Sequence, residues 1–148
     1  MSLKTDIIFV RALRSDDDLI EQLPAGDVYN TTIAMPEQDA ENAPLPYIIV
    51  TYDGMQNLDT DKDSPFEGDT DRVQIGIEVA AESRPQLASL TEQIRTTVRE
   101  FFENLDSSDE DYDLVPLDVD FSAQAVQYDE WKPCYWQVLQ YQCDTKTD

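Results

Sequence analysis

Hydrophobic and polar residues alternate most regularly within residues 72–105. The first part of this range places an aliphatic residue at every second position, at Val73, Ile75, Ile77 and Val79. This period of two predicts a β-strand with one buried face. In the second part, hydrophobic residues recur three or four positions apart, which predicts a long amphipathic helix over about 85–105. Ser83 is suited to cap that helix, and Pro85 is suited to its first turn.

The remaining hydrophobic segments complete a small mixed fold. Residues 3–13 have helical spacing and predict an N-terminal helix, after which Ser15 or Asp16 can cap a further short helical segment. Further strands are predicted at residues 28–33, 47–52, 115–121 and 134–143. We therefore predict one α+β domain over residues 1–148, in which the N-terminal helix and the long central helix pack on a single mixed, mostly antiparallel β-sheet. The acidic segments near residues 53–71 and 106–113 are predicted to be mobile loops.

The charge of the chain is strongly unbalanced. It has 32 acidic residues, 10 basic residues and no histidine, which gives a formal net charge of −22 at pH 7. Such a charge opposes ordinary nucleic-acid binding, because that binding requires Lys and Arg to neutralise phosphates. It is compatible with a basic protein partner, with metal cations, or with solubility alone.

Motifs that carry chemistry are scarce. Without histidine the chain lacks the commonest general base and transition-metal ligand, and its four glycines form no phosphate-binding loop. We therefore predict no catalytic residue and no cofactor. Asp59, Asp61 and Asp63 alternate as in the start of a Ca²⁺ loop, but Ser64 and Thr70 stand where such loops have Gly and Glu. These three aspartates are a weak calcium candidate.

The two cysteines indicate a reducing compartment. Cys134 and Cys143 are nine positions apart in one predicted strand, so they point to opposite faces and are not expected to form a disulfide. No apolar run approaches the roughly 20 residues that span a bilayer. The charged residues Lys4, Asp6 and Arg11 are not expected in the apolar region of a secretory signal. We therefore predict a cytosolic protein with no membrane partner.

Large aromatic residues are concentrated towards the C-terminus, at Trp131, Tyr135, Trp136 and Tyr141. They either fill the core or anchor an interface, because Trp and Tyr combine a large contact area with a polar group. Residues 47–52 (YIIVTY) are hydrophobic on both faces, which indicates a strand covered on both sides or facing a neighbour. The candidate subunit-interface residues are Tyr47, Ile49, Phe66, Trp131, Tyr135 and Trp136.

Several short motifs follow one another in a particular order. After the N-terminal helix come LIEQL at residues 19–23, VY at 28–29, APLPYIIV at 43–50 and RVQIGIEV at 72–79, then a serine-led helix and a closing strand at 135–141. Over most of the chain this order resembles the tail-completion proteins of tailed bacteriophages, also called tail terminators or head–tail joining proteins. The strongly acidic composition and the long acidic segments depart from the family's pattern.

The resemblance implies a structural subunit of a phage or prophage, with no catalysis. Such subunits assemble with themselves into a ring, typically a hexamer, that terminates the tail tube and joins it to the head connector. The implied partners are therefore further copies of the chain, the tail tube protein and the head-connector protein. DNA would pass through the ring without specific binding, and an acidic lumen would repel it. The implied location is the host cytoplasm during assembly and then the tail or neck of the virion.

Other functions remain open at this point. The main alternative is an acidic interaction protein, either a DNA mimic or an adaptor, that binds a basic partner. Its acidic residues would be spaced over one face, whereas here they concentrate in predicted loops and turns. A Ca²⁺-dependent module is a second alternative, and an enzyme of unfamiliar type ranks last.

Overall fold

The structure is a computed structural model that describes residues 2–30, 44–58, 68–109 and 115–146. Within these residues a 3₁₀ turn at Ser2–Lys4 leads into the first helix. The helices are α1 (Thr5–Arg14), α2 (Asp17–Glu21) and α3 (Arg84–Asn104). The strands are β1 (Tyr29–Asn30), β2 (Tyr47–Leu58), β3 (Thr70–Ala81), β4 (Asp118–Ala123), β5 (Gln127–Asp129) and β6 (Cys134–Lys146).

The six strands form one sheet in the order β1-β2-β3-β6-β4, and β5 pairs with the start of β6. β1 runs parallel to β2, whereas the other described pairings are antiparallel. The chain passes from β3 through α3 to β4. The predicted α+β fold is therefore confirmed: it has a single mixed, mostly antiparallel sheet, an N-terminal helix and a long helix close to residues 85–105.

The hydrophobic core lies between one face of the sheet and the helices α1 and α3. Strand residues that point towards the helices, such as Ile75, Ile77 and Leu139, are at most 1% exposed. In α3 the buried residues recur every three or four positions, at Leu87, Leu90, Ile94 and Val98. Phe9 of α1 lies near the centre, 5.0 Å from the ring of Tyr141 between centroids. Burial of these apolar groups is the main force that holds the helices on the sheet.

Two side-chain caps fix where the helices begin. The Ser83 hydroxyl accepts a hydrogen bond from the Gln86 N–H at 3.3 Å, as its place before α3 predicts. Asp16 caps α2 by accepting from the Leu19 N–H at 3.2 Å. Its second carboxylate oxygen accepts from the Thr97 hydroxyl at 2.6 Å and from the Gln93 amide at 3.2 Å. Asp16 therefore also joins the end of α1 and the start of α2 to α3.

The segment predicted as a loop over residues 53–71 is shorter than expected. β2 continues to Leu58 and β3 begins at Thr70, so both ends of the predicted loop are strand. Around Asp53 and Gly54 the register shifts, and Gly54 adopts a φ of 138°, which is strained for residues with a side chain. Beyond this bulge, residues 55–58 (MQNL) do not alternate between hydrophobic and polar types, so the sequence pattern did not indicate a strand there.

Two other predicted boundaries also moved. The strand predicted at residues 115–121 is β4 and covers Asp118–Ala123. Of the strand predicted at residues 28–33, the structure describes β1 at Tyr29–Asn30, and the remainder lies outside the described residues. In the predicted loop over 106–113, residues 106–109 form a turn in which the Asp109 N–H donates to the Asp106 carbonyl at 3.0 Å, and residues 110–113 lie outside the described part.

Cys134 and Cys143 are both buried free thiols, as their positions in one strand predicted. Burial, followed by the charge of Asp144, raises the pKa of the Cys143 thiol to about 12. This thiol therefore stays protonated at neutral pH, which makes it unreactive. Across the described ranges, no helix has both the length and the apolar character that crossing a membrane requires.

Candidate protein-interaction face

The sheet face opposite the core, here called the second face, carries partly exposed side chains. On β6, core-facing Leu139 and Tyr141 are buried, whereas the alternate residues Trp136, Val138 and Gln140 are only half-buried. The strand register places alternate residues of β2 and β3 beside them on this face. These neighbours are Tyr47, Ile49 and Thr51 of β2 and Gln74, Glu78 and Ala80 of β3. The second face therefore presents aromatic, aliphatic and amide groups side by side.

The middle of the second face combines a hydrogen bond between strands with small residues. The Gln74 amide donates to the Gln142 side chain at 2.9 Å across β3 and β6. A Cβ atom added at Gly76 would lie 2.6 Å from the Thr51 hydroxyl oxygen, so glycine leaves room for side chains of β2. Ala80 is 0% exposed and pairs with Tyr47 on one side and Trp136 on the other. The large side chains of Tyr47 and Trp136 therefore flank the short side chain of Ala80.

A cleft of about 440 Å³ lies at the end of the second face where β2 begins and β3 ends. It is formed where the ends of β2 and β3 meet β6 and the turn between β5 and β6. Its lining residues are Tyr47, Glu78, Asp129, Trp131, Lys132, Cys134 and Trp136. We call this feature the aromatic cleft. It combines three aromatic rings with two carboxylates.

The polar groups of the aromatic cleft are held in place by specific contacts. The Tyr47 hydroxyl donates to a Glu78 carboxylate oxygen at 3.3 Å. The Asp129 carboxylate accepts from the backbone N–H groups of Trp131 at 2.9 Å and Lys132 at 3.4 Å, which shapes the turn. The Lys132 ammonium nitrogen lies 5.5 Å from the centroid of the Tyr47 ring. This distance is within the range of a cation–π contact.

The carboxylates of Glu78 and Asp129 influence the other titratable groups of the aromatic cleft. Burial, and after it the Glu78 carboxylate, raises the pKa of the Tyr47 hydroxyl far above its ordinary value. Burial, followed by the Asp129 carboxylate, raises the pKa of the Cys134 thiol. Both groups therefore remain protonated and neutral near pH 7, and the thiol is not a nucleophile there. The arrangement is suited to binding a cationic group beside the aromatic rings and carboxylates that line the cleft.

Three of the six residues predicted as subunit-interface residues meet at the aromatic cleft, namely Tyr47, Trp131 and Trp136. Ile49 lies on the same face and is 7% exposed. Tyr135 lies on the opposite face, where its ring is 5.0 Å from that of Tyr128.

Phe66 lies outside the described residues, as do the calcium candidates Asp59, Asp61 and Asp63. In the part of the chain that the structure describes, no group of three or more His, Cys, Asp or Glu side chains is placed to hold a metal ion.

Sequence reasoning missed Glu78, Asp129 and Lys132 as members of one site. In the sequence, Glu78 is one of the polar positions of an alternating strand, and Asp129 and Lys132 fall in a predicted turn, so none of them indicates a site. They come together only because β6 pairs with both β3 and β5. A signal was present in the turn sequence DEWKP at residues 129–133, where a tryptophan stands among charged residues.

Two comparisons with known proteins found no match for this chain. A scan against protein-family models found no match. A search of curated proteins found none either. The resemblance to tail-completion proteins therefore stays a prediction that rests on the order of the motifs, and the role of the second face has to be argued from its own residues.

Proposed function

We propose that this protein is a structural subunit that assembles with its own copies into a ring, terminates a phage tail tube and joins it to the head connector. In this proposal it acts without catalysis, first in the host cytoplasm and then in the virion or as a prophage product. Its specific partners would be the tube protein and the connector protein. The order of motifs along the chain is the reason for naming this family.

The observation that carries the proposal is the second face of the sheet. Val138 and Trp136 remain half-buried there, and Trp131 is 99% exposed at the adjoining turn. Exposed large apolar groups grouped on one surface are typical of protein interfaces, because burial of their area stabilises a complex. A strand-built surface with such groups suits packing between equivalent subunits of a ring.

The net charge sets a condition on such a ring. Copies that each carry a formal charge of −22 repel one another, and this repulsion extends about 10 Å at 0.1 M salt. Assembly should therefore strengthen as salt rises. The same charge would keep DNA from adhering inside a ring, because nucleic-acid affinity depends on basic contacts.

The experiment is measurement of absolute mass by light scattering on a sizing column, at low salt and at about 0.5 M salt, where screening acts within a few Å. We expect a ring mass, typically of six subunits, that is favoured at high salt. Val138→Glu should weaken it by placing a charge on the second face, whereas Thr96→Glu adds the same charge on the exposed side of α3. Tighter association at low salt, or equal effects of the two variants, would contradict the proposal.

A second candidate function is favoured by the aromatic cleft. An acidic adaptor that binds a basic protein would use the carboxylates and aromatic rings gathered there. This role requires no ring. A mass equal to one subunit at both salt concentrations would favour it over self-assembly.

A further inference from the structure

The aromatic cleft already binds a cation within the chain. Lys132 reaches back from its turn so that its ammonium lies 5.5 Å from the Tyr47 ring centroid. Tyr47 in turn donates to Glu78, so its ring and this carboxylate are fixed relative to each other. The geometry therefore marks a position where positive charge is stabilised by an aromatic face and by nearby carboxylates.

The cleft has more recognition groups than the Lys132–Tyr47 contact uses. Trp136 and Trp131 also line it, and Trp131 is 99% exposed, so its ring lacks the cover that the core provides to other aromatic residues. Trp is the most favourable aromatic partner for a cation. Exposed Trp and Tyr beside charged groups are also the residue types that dominate the energy of protein interfaces.

We infer that the aromatic cleft receives a cationic side chain, best an arginine, presented by a separate basic partner protein. A guanidinium group is planar, so it can stack on an indole ring while its N–H groups donate to a carboxylate such as Glu78 or Asp129. Lys132 then occupies the position in the free protein and yields it on binding. The inference rests on the proposed role of the second face as a protein-binding surface, but it does not require a ring.

A separate partner fits better than a second copy. The chain is strongly acidic, and several of its described arginines have contacts of their own. Arg14 pairs with Asp27 at 2.9 Å, and Arg72 pairs with Asp144 at 3.0 Å. A basic partner would instead be attracted to a chain of net charge −22 and would be steered towards it.

The test uses the full chain and two blocked pentapeptides, Gly-Ser-Arg-Ser-Gly and the same peptide with citrulline in place of arginine. Citrulline keeps the shape of arginine but has no charge. Backbone amide signals of the protein are followed by NMR during titration in about 0.15 M salt, which reduces non-specific attraction. We expect the arginine peptide to shift the signals of residues 129–136 and the citrulline peptide to leave them unchanged.

Four substitutions, one of them a control, separate specific binding from bulk charge. Glu78→Gln should weaken the arginine peptide about tenfold, as expected for loss of a charge-assisted hydrogen bond, while Glu103→Gln on the exposed side of α3 should have no effect. Lys132→Gln should strengthen binding several-fold, because it removes the competing cation. Trp131→Ala, at an exposed position that leaves the fold intact, should weaken binding by roughly two- to fivefold.

Several outcomes would overturn the inference. Equal shifts with both peptides would exclude recognition of the cationic group. Equal weakening of peptide binding by Glu78→Gln and Glu103→Gln would show that the binding depends on net charge alone. Weaker binding after Lys132→Gln would exclude competition for one position. Failure of peptide binding in a protein that still forms a salt-favoured ring would reject this inference alone, whereas peptide binding by a protein that stays monomeric would reject only the ring.

Discussion

Asp16 shows how much one side chain can fix in this fold. It caps α2 and also accepts hydrogen bonds from Thr97 and Gln93 of α3. Burial alone would raise the pKa of this carboxyl, but the bonds from Thr97, Leu19 and Gln93 outweigh burial and lower its pKa below the ordinary 3.8. Its charged form is therefore stabilised by folding.

We expect Asp16→Ala to lower the free energy of unfolding by about 1–2 kcal/mol, because it removes a cap and leaves Thr97 without this partner. Because the folded-state pKa is lowered, this contribution is present above about pH 4 and is lost as the pH falls below that value. Urea unfolding at pH 7 and pH 3 measures both effects. Asp17→Ala, at an exposed position in the same helix, serves as the control, and an equal loss in both variants would contradict the assignment.

At the same scale, the sequence was sufficient for caps but not for the aromatic cleft. Ser83 was identifiable, and Asp16 was one of two candidates together with Ser15, because a cap depends only on residues a few positions away. Glu78 and Asp129 were not, because their proximity depends on how three strands pair. Residue type identified Trp131 and Trp136, because large aromatic groups often anchor interfaces, and the strand at residues 47–52 identified Tyr47, because it is hydrophobic on both faces.

Among the elements, α3 has boundaries that could be predicted from its own sequence. Its period of buried residues and its cap were both visible in the sequence, and the helix extends over Arg84–Asn104. Strand β2 shows the opposite case. Its last residues follow a bulge at Asp53, and their hydrophobic members Met55 and Leu58 are three positions apart, so period-two alternation could not predict them. Their strand character comes from backbone pairing with β3.

The Ser83 cap of α3 should contribute measurably to the free energy of unfolding. Ser83→Ala removes the acceptor for the Gln86 N–H, so we expect the free energy of unfolding to fall by about 1 kcal/mol. Ser89→Ala within the same helix is the matched control. This residue is exposed, and alanine is the better helix former, so the control should be neutral or slightly stabilising. Chemical denaturation measures both, and the cap assignment fails if Ser83→Ala is also neutral.

Across the whole molecule, the large negative net charge destabilises the folded state through repulsion. The 32 acidic residues outnumber the 10 basic residues, so folding brings many like charges together. In the ion pair between Arg14 and Asp27, both side chains are about half exposed to solvent. Such a pair contributes little, because water and salt screen it.

Thermal stability should therefore rise with ionic strength. We expect the Tm at pH 7 to increase by several degrees between about 0.02 M and 0.5 M NaCl, since repulsion between carboxylates is screened. KCl should give the same shift, because screening depends on ionic strength and not on the identity of the cation. Calorimetry or circular dichroism would measure it, and a Tm that is constant or falls with salt would show that repulsion does not limit stability.

The full exposure of Trp131 has an optical consequence. An indole in water emits at longer wavelength than one shielded by protein, so this residue reports directly on whether its turn is covered. Trp136, half-buried in the same cleft, provides a second signal from a drier setting. Because these are the chain's two tryptophans, its intrinsic fluorescence comes mainly from this one location. Binding of a partner at the aromatic cleft should therefore change the intrinsic tryptophan fluorescence of the protein without an added label.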